Sequence, residues 1–537
     1  MKVLFLGAAV LLFALPILIQ ARHHKPEQIH IAFGQTSDLV AVQWSTRSYV
    51  QPQQQQQQQQ QVEEPLQPHS FVRWGKDPAH LDNVAEGLTV DFIDGGKTKR
   101  RQRHHIVNMT GLEASTRYHY QVGDETLSDG LSQIYSFKTA PDAATLGDNL
   151  PVRLVVYGDM GVDLNGSTVM RHLLKHLNRD PDLFDGVVHV GDFAYDMYER
   201  EGKQGDLFMR QIEPIAARLP YMTSMGNHEK AYNFLHYSER FRNMPVSDGE
   251  VASKNGPNAP NNWWYSFNLG PVHLVAVSTE IYDFGPLDYI PRQYQWLEED
   301  LKRANSNRTL APWIIVHGHK PLYCSSPTPE KCDNWYRSQR EGVLLSAAAA
   351  ASAAANANLS TTGNAPCLSS SLRGTDEGRA GKRGRKRKWG LEELFYLYGV
   401  DVYICGHEHN SERHYDIAPG GKTGGRTREM GATTYIVTGA GGNREGNTPF
   451  ESEQPERVAS RAEIWGYSIL EVHNATHLYY EQRGCDVEPR EGGRERDEFV
   501  DGAWLVQHRH GSFERRVEEE GEEGDERGWE RGRIAVA

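Results

Sequence analysis

Val152-Arg153-Leu154-Val155-Val156-Tyr157-Gly158-Asp159-Met160-Gly161 is an apolar run that stops at a glycine and an acid. The pattern returns four times. Val187-Val188-His189-Val190 leads into Gly191-Asp192-Phe193-Ala194-Tyr195, and Tyr221-Met222 precedes Gly226-Asn227-His228-Glu229. Trp313-Ile314-Ile315-Val316 leads into His317-Gly318-His319, and Val402-Tyr403-Ile404-Cys405 into Gly406-His407-Glu408-His409. Short apolar runs bounded by glycine suit buried strands of an α/β domain, and open α/β sheets bind ligands beyond the carboxyl ends of such strands.

Taken singly, each block reads as a turn or a helix cap. Together they offer Asp159, Asp192, Tyr195, Asn227, His319, His407 and His409, a set of oxygen and imidazole donors with no thiolate among them. That is more than one ion with an open position needs, and it fits two hard ions sharing a bridging carboxylate. Two-metal sites of this kind clamp the attacking and leaving oxygens of phosphoester displacement.

The rest of the chain is read around that centre. Strands alternate with helical patterns at Ser167–Leu177, Gln293–Leu301 and Leu391–Tyr398, which argues an α/β sandwich over residues 149–482. Residues 25–141 instead carry short alternating strands, at Ile29–Phe33, Leu39–Trp44, Ser70–Trp74 and Tyr118–Val122, and imply a fibronectin type III-like β-sandwich. A glutamine-rich stretch at 51–61 reads as a loop insertion in that domain, and a second low-complexity insertion spans 341–385. The basic run Arg379–Lys388 reads as solvated loop, cleavable site or polyanion patch. Residues 483–513 form a C-terminal segment with a last strand, and 514–537 a charged, disordered tail.

Residues 1–21 have the order of a secretory signal, with a membrane anchor as the competing reading. No second long apolar run follows, so no membrane contact is expected once the signal is removed. Sequons at Asn108, Asn165, Asn307, Asn358 and Asn474 are candidate glycan sites. Five cysteines in 537 residues are not a disulfide scaffold, but Cys324 and Cys332 could close a small loop; Cys405 reads as a buried thiol, and Cys367 and Cys485 are left open. A net charge of -13 argues against nucleic-acid binding.

On these blocks the chain resembles the purple acid phosphatases, within the calcineurin-like metallophosphoesterases. The metazoan long-form branch is most similar, through Trp389–Phe395, Thr438–Gly442 and Asn474–Tyr480. The resemblance implies an acid phosphatase that hydrolyses phosphate monoesters by metal-activated hydroxide at a binuclear centre. Asp159, Tyr195 and His409 would hold Fe(III), and Asn227, His319 and His407 a divalent zinc, iron or manganese. Asp192 would bridge, and His228 would act as the catalytic residue at the substrate. A phosphodiesterase of the same fold and a weakly active metal-containing binding protein are the alternatives. The resemblance further implies a secreted or lysosomal glycoprotein; a homo-oligomer is left open. Two departures stand out: Lys320–Arg340 lacks the further histidine of plant members, leaving His317 and His414 as stand-ins more readily explained as exposed, and Ser411 replaces an aromatic expected to line the pocket.

Overall fold

The structure, a computed structural model, describes residues 24–47, 69–127, 129–141, 151–246, 262–326, 332, 334, 336–343, 388–423, 430–485 and 497–513. The signal-like leader, the glutamine run, the alanine-rich and basic tracts, the tail, Cys367 and Asn358 lie outside these residues.

The N-terminal part is two antiparallel four-stranded sheets. One runs Glu27–Phe33, Val40–Arg47, Arg101–Met109, Leu88–Ile93; the other Asn83–Glu86, Phe71–Gly75, Arg117–Gly123, Tyr135–Lys138. Alternation drives it. In Arg117–Gly123 the side chains of Tyr118, Tyr120 and Val122 are buried and their neighbours are half-buried, and they meet Ile31, Val42, Trp44 and Val72 in a core of their own.

Two larger sheets follow. The first orders Tyr221–Ser224, Gly186–Val190, Val152–Tyr157, Gly466–Val472, His477–Cys485 and Asp497–Val506, with the first three strands parallel. The second is built on parallel Val272–Ala276, Trp313–His317, Val402–Cys405 and Thr433–Thr438, extended by antiparallel strands at its edges. Trp313–His317 explains its unbroken apolar character. Trp313 and Ile315 join the cluster shared with Val187 and Leu154 of the first sheet. Ile314 and Val316 face the opposite way, onto Leu297, Leu301 and Phe395 of the helices Tyr289–Asn305 and Leu391–Leu397. Both faces are therefore covered, as parallel strands require. The helices Leu164–Arg179 and Lys203–Ala216 cover the first sheet through Val169, Leu173, Phe208 and Ile212.

Lys203–Ala216 and Leu235–Arg240 are helices the sequence reading did not anticipate. The chain expected to be irregular from Glu341 is regular as far as Val343, where Gly342–Val343 pairs with Lys388–Trp389 and draws the two ends of the insertion together. Cys324 and Cys332 form a disulfide, and Cys405 is a buried thiol. Of the sequons, Asn108, Asn307 and Asn474 are exposed, whereas the Asn165 amide donates to Asn443 O at 2.8 Å within the fold. Among the described residues no helix is long and apolar enough to cross a membrane.

The sandwich docks on the larger body through buried polar groups. The Tyr120 hydroxyl donates to Ala217 O at 2.8 Å, and Gln43 donates to Glu239 O at 2.8 Å. Arg240, 1% exposed, reaches Asp206 at 2.9 Å, Gly202 O at 3.0 Å and Gln28 at 3.2 Å. Arg100 of the sandwich donates to the same Asp206 at 2.7 Å, and Asp94 lies 2.9 Å from His236.

Candidate metal centre

All five polar blocks lie at the carboxyl ends of parallel strands. Asp159 follows Val152–Tyr157, Asp192 and Tyr195 follow Gly186–Val190, and Asn227 follows Tyr221–Ser224. The second sheet contributes His319 after Trp313–His317, and His407 and His409 after Val402–Cys405. Several donors hold left-handed backbone, with φ of 64° at Asp159, 57° at Asp192, 45° at Tyr195 and 71° at His407. Non-glycine residues rarely adopt this region, and it concentrates at functional sites where the surroundings over-determine the backbone. Two glycines permit the close approach. A Cβ on Gly406 would lie 2.2 Å from Asp159 Oδ2, and one on Gly226 2.3 Å from Asp192 Oδ1.

The seven donors fall into two sets. In the first, the Tyr195 hydroxyl is 2.8 Å from His409 Nε2 and 3.4 Å from Asp159 Oδ1, and His409 Nε2 is 3.6 Å from Asp159 Oδ1. In the second, His319 Nε2 is 3.2 Å from Asn227 Oδ1 and 3.0 Å from His407 Nδ1. Asp192 Oδ2 lies 3.1 Å from His319 Nε2, and the ligand atoms of Asp192, His319 and His407 all fall within 4.8 Å of one another. Donors this close fit metal ions by their chemistry: carboxylate, phenol, amide and imidazole, with no sulfur.

Groups behind the donors fix their orientation, as metal ligands require. His319 Nδ1 faces Val190 O at 2.8 Å and His409 Nδ1 faces Gly446 O at 2.9 Å, so each presents Nε2 to the site. The Asp192 carboxylate accepts the His228 N–H at 2.9 Å, and Asp159 accepts that of His407 at 2.8 Å. Three supporting residues escaped the sequence reading. Buried Glu229 accepts the N–H groups of Asp192 at 3.0 Å, Phe193 at 2.9 Å and Gly226 at 2.8 Å, tying two blocks together. Asn443 donates to the Tyr195 hydroxyl at 2.8 Å and to Asp159 O at 3.1 Å. Asp196 Oδ1 lies 2.8 Å from His228 Nδ1.

Electrostatics follow from burial and crowding. Burial would raise Asp192, but His319 and His228 beside it hold its carboxyl well below the usual range. Burial drives Asp159 up to about 6, against the pull of His319 and His409. Burial and the Asp159 and Asp192 carboxylates push the Tyr195 phenol well above its ordinary value. Burial alone would lower His319 and His228, yet Asp192 carries them to about 10 and about 9, helped at His228 by Asp196.

His228 stands over this centre, with Nε2 3.9 Å from Asp192 Oδ2 and 3.7 Å from Glu445. Neither other histidine joins it. His317 and His414, expected to be exposed, are both fully buried, and burial lowers each to about 3. Alternation along the Trp313–His317 strand puts His317 on the face of Trp313 and Ile315, toward the first sheet and 3.4 Å from Ser224, and His414 sits inside the Ser411–Ala418 strand. Ser411 is likewise buried, its backbone paired with Thr438 and Ala462.

Comparison with known proteins places this arrangement. Residues 26–139 match the purple acid phosphatase N-terminal domain, 152–350 the calcineurin-like phosphoesterase domain, and 432–486 the iron/zinc purple acid phosphatase-like protein C domain. Acid phosphatase type 7 of Homo sapiens is 33% identical over 511 residues, covering 93% of this chain and 95% of the relative. The chain belongs to the purple acid phosphatases. The plant relative purple acid phosphatase 15 of Arabidopsis thaliana is 26% identical, covering 84% of this chain and 81% of its own. The fold is that of a purple acid phosphatase from yellow lupin seeds, at a TM-score of 0.58 and 21% identity over 90% of this chain and 75% of that one. Purple acid phosphatases are metallophosphoesterases with a binuclear metal centre, and this chain is a phosphatase of that kind, hydrolysing phosphate monoesters.

Proposed function

We propose that Asp159, Tyr195 and His409 hold Fe(III), that Asn227, His319 and His407 hold a divalent zinc, iron or manganese, and that Asp192 bridges them. The observation carrying this is the division of the donors into two sets, with Asp192 against His319 of the second and its charge acting on Asp159 and Tyr195 of the first. Their charges differ in the matching sense. The first set contains a carboxylate and a phenol that burial keeps protonated until a strong cation displaces the proton; the second is an amide and two imidazoles. The ions, when bound, supply Lewis acidity toward the phosphoryl group and acidify water at the site.

The chain's own residues do the rest. Asp192 stays anionic through acid pH, its carboxyl being held low. His228, steadied by Asp196, is positioned to hold a phosphate oxygen and to give a proton to the departing alkoxide. Against burial, which lowers it, the Asp192 and Asp196 carboxylates raise the ring to about 9 without ions bound; ions on Asp192 would take back part of that rise, and the ring's proton is lost as pH rises through the resulting value.

The test is a visible spectrum and a p-nitrophenyl phosphate assay across pH on the purified protein. A phenolate-to-iron band that vanishes in Tyr195→Phe is expected; a wild type without the band would remove Tyr195 as a ferric ligand. His228→Asn is expected to lower kcat about 100-fold while the band is unchanged. A kcat within twofold of wild type would end its role as acid. Faster turnover of bis(p-nitrophenyl) phosphate would favour the phosphodiesterase alternative.

The same reading assigns residues 25–141 to the accessory sandwich, 149–482 to the catalytic domain and 483–513 to a C-terminal segment. The protein is assigned to the secretory pathway, as a secreted or lysosomal N-glycosylated enzyme. The leader-like residues 1–21, the Cys324–Cys332 disulfide and the exposed sequons support that route.

A further inference from the structure

The segment Lys320–Arg340, which lacks a histidine to offer the substrate, meets the centre from behind. Between His407 and His409 stands Glu408, a carboxylate that is 0% exposed. Its two oxygens accept the hydroxyls of Ser326 and Tyr336. Ser325 N–H donates to Glu412, the buried carboxylate at the start of the Ser411–Ala418 strand that follows, at 2.9 Å. Both serines belong to the turn closed by the Cys324–Cys332 disulfide, where Ser326 N–H lies 3.3 Å from Cys332 Sγ. Cys324, Cys332 and Tyr336 pack as a small buried cluster of their own, and the Tyr336 ring stands edge-on to His407 at 5.7 Å.

The stretch touches His407 directly, through the Tyr336 ring. His409 is held by its N–H donating to Thr448 Oγ1 at 2.9 Å and by its Nδ1 facing Gly446 O at 2.9 Å. His407 holds a left-handed backbone, φ 71°, between Gly406 and Glu408. A residue in that region relaxes unless its neighbours prevent it. Asp159 restrains its N–H from one side, and Glu408 is the next residue along.

We propose that Glu408, gripped by Ser326 of the disulfide-closed turn and by Tyr336 just after it, is a positioning residue that holds His407 in place, so that this stretch sets the affinity of the divalent half of the centre. The inference rests on the assignment of His407 to the divalent ion made above.

The full-length protein, stripped of metal and reloaded with Fe(III) and graded Zn(II), provides the test, read as metal per chain and as the visible band. Glu408→Gln and Tyr336→Phe are expected to weaken zinc retention about 10- to 100-fold, the range for ligand-supporting residues, and to leave the iron band unchanged. Tyr336→Phe removes a single hydroxyl, so it keeps the question answerable if the Glu408 variant folds poorly. A general loss of packing would not distinguish one ion from the other. Zinc retained at wild-type affinity in Tyr336→Phe, or both ions lost together from it, overturns the role of Glu408. A wild type that takes up no second ion overturns the metal assignment and this role with it.

Discussion

Asp192→Asn is expected to lower kcat/KM for p-nitrophenyl phosphate by at least about 1000-fold, roughly 4 kcal/mol of transition-state stabilisation. The substitution is nearly isosteric. It keeps the packing against Gly226 and an acceptor for the His228 N–H, so the loop geometry should survive. What it removes is one negative charge, 3.1 Å from His319 Nε2, at the residue proposed to bridge the two ions. His319 and His228 both owe their raised values in part to that charge. Kinetics combined with metal analysis would check this. Activity within tenfold of wild type, with two ions still bound, would sink the bridging role.

The second large effect concerns stability. Arg240→Met should cost about 3–5 kcal/mol, the usual penalty for breaking a buried ion pair by deleting one partner. The guanidinium is 1% exposed and serves Asp206, Gly202 O and Gln28 together, while lying over the Phe92 ring at 5.3 Å. Arg100 stays on Asp206 in the variant, which favours the lower end of that range. Burial would raise Asp206, but Arg240 and Arg100 hold its carboxyl below the ordinary value. A depressed folded-state value means the stabilisation is complete above about pH 4, the unfolded carboxyl's range. It is lost only as pH falls through the lower, folded value. Urea denaturation at pH 7, where both Asp206 and the neighbouring histidines hold their folded-state charge, should give this penalty, and a difference below 1 kcal/mol from wild type would refute this account.

The donors were legible in the sequence because each ends a strand whose two faces are buried, so the polar block stands out against an apolar run. The residues behind them were not. Asn443 serves Tyr195 from 248 positions away, and no local spacing encodes such a contact. Glu229 sat inside a recognised block, but its work is to gather backbone N–H groups from another loop. The Lys203–Ala216 helix was hidden by Gly205 and Pro214 within it, although Phe208, Met209, Ile212 and Ile215 make its buried face. The strand Arg101–Met109 failed the hydrophobic pattern for a different reason. Its buried Gln102, His104 and His105 include groups that serve the domain contact, as His104 does at Glu239 O, 2.8 Å away. Interior positions filled by polar residues read from the sequence as surface.

The assembly of the centre from two sheets also fixes when it can be loaded during biogenesis. The first donor set joins Tyr195 to His409 across 214 positions, and His319 comes from the second sheet to meet Asn227 on the first. A nascent chain emerging from the ribosome passes through a long interval in which the first sheet's acids are present without their imidazole partners. Contacts of such sequence separation form late, because loop closure must be completed before they are rewarded. The expected outcome is that apo-protein stocks take up metal without prior unfolding, checked as metal per chain after mixing.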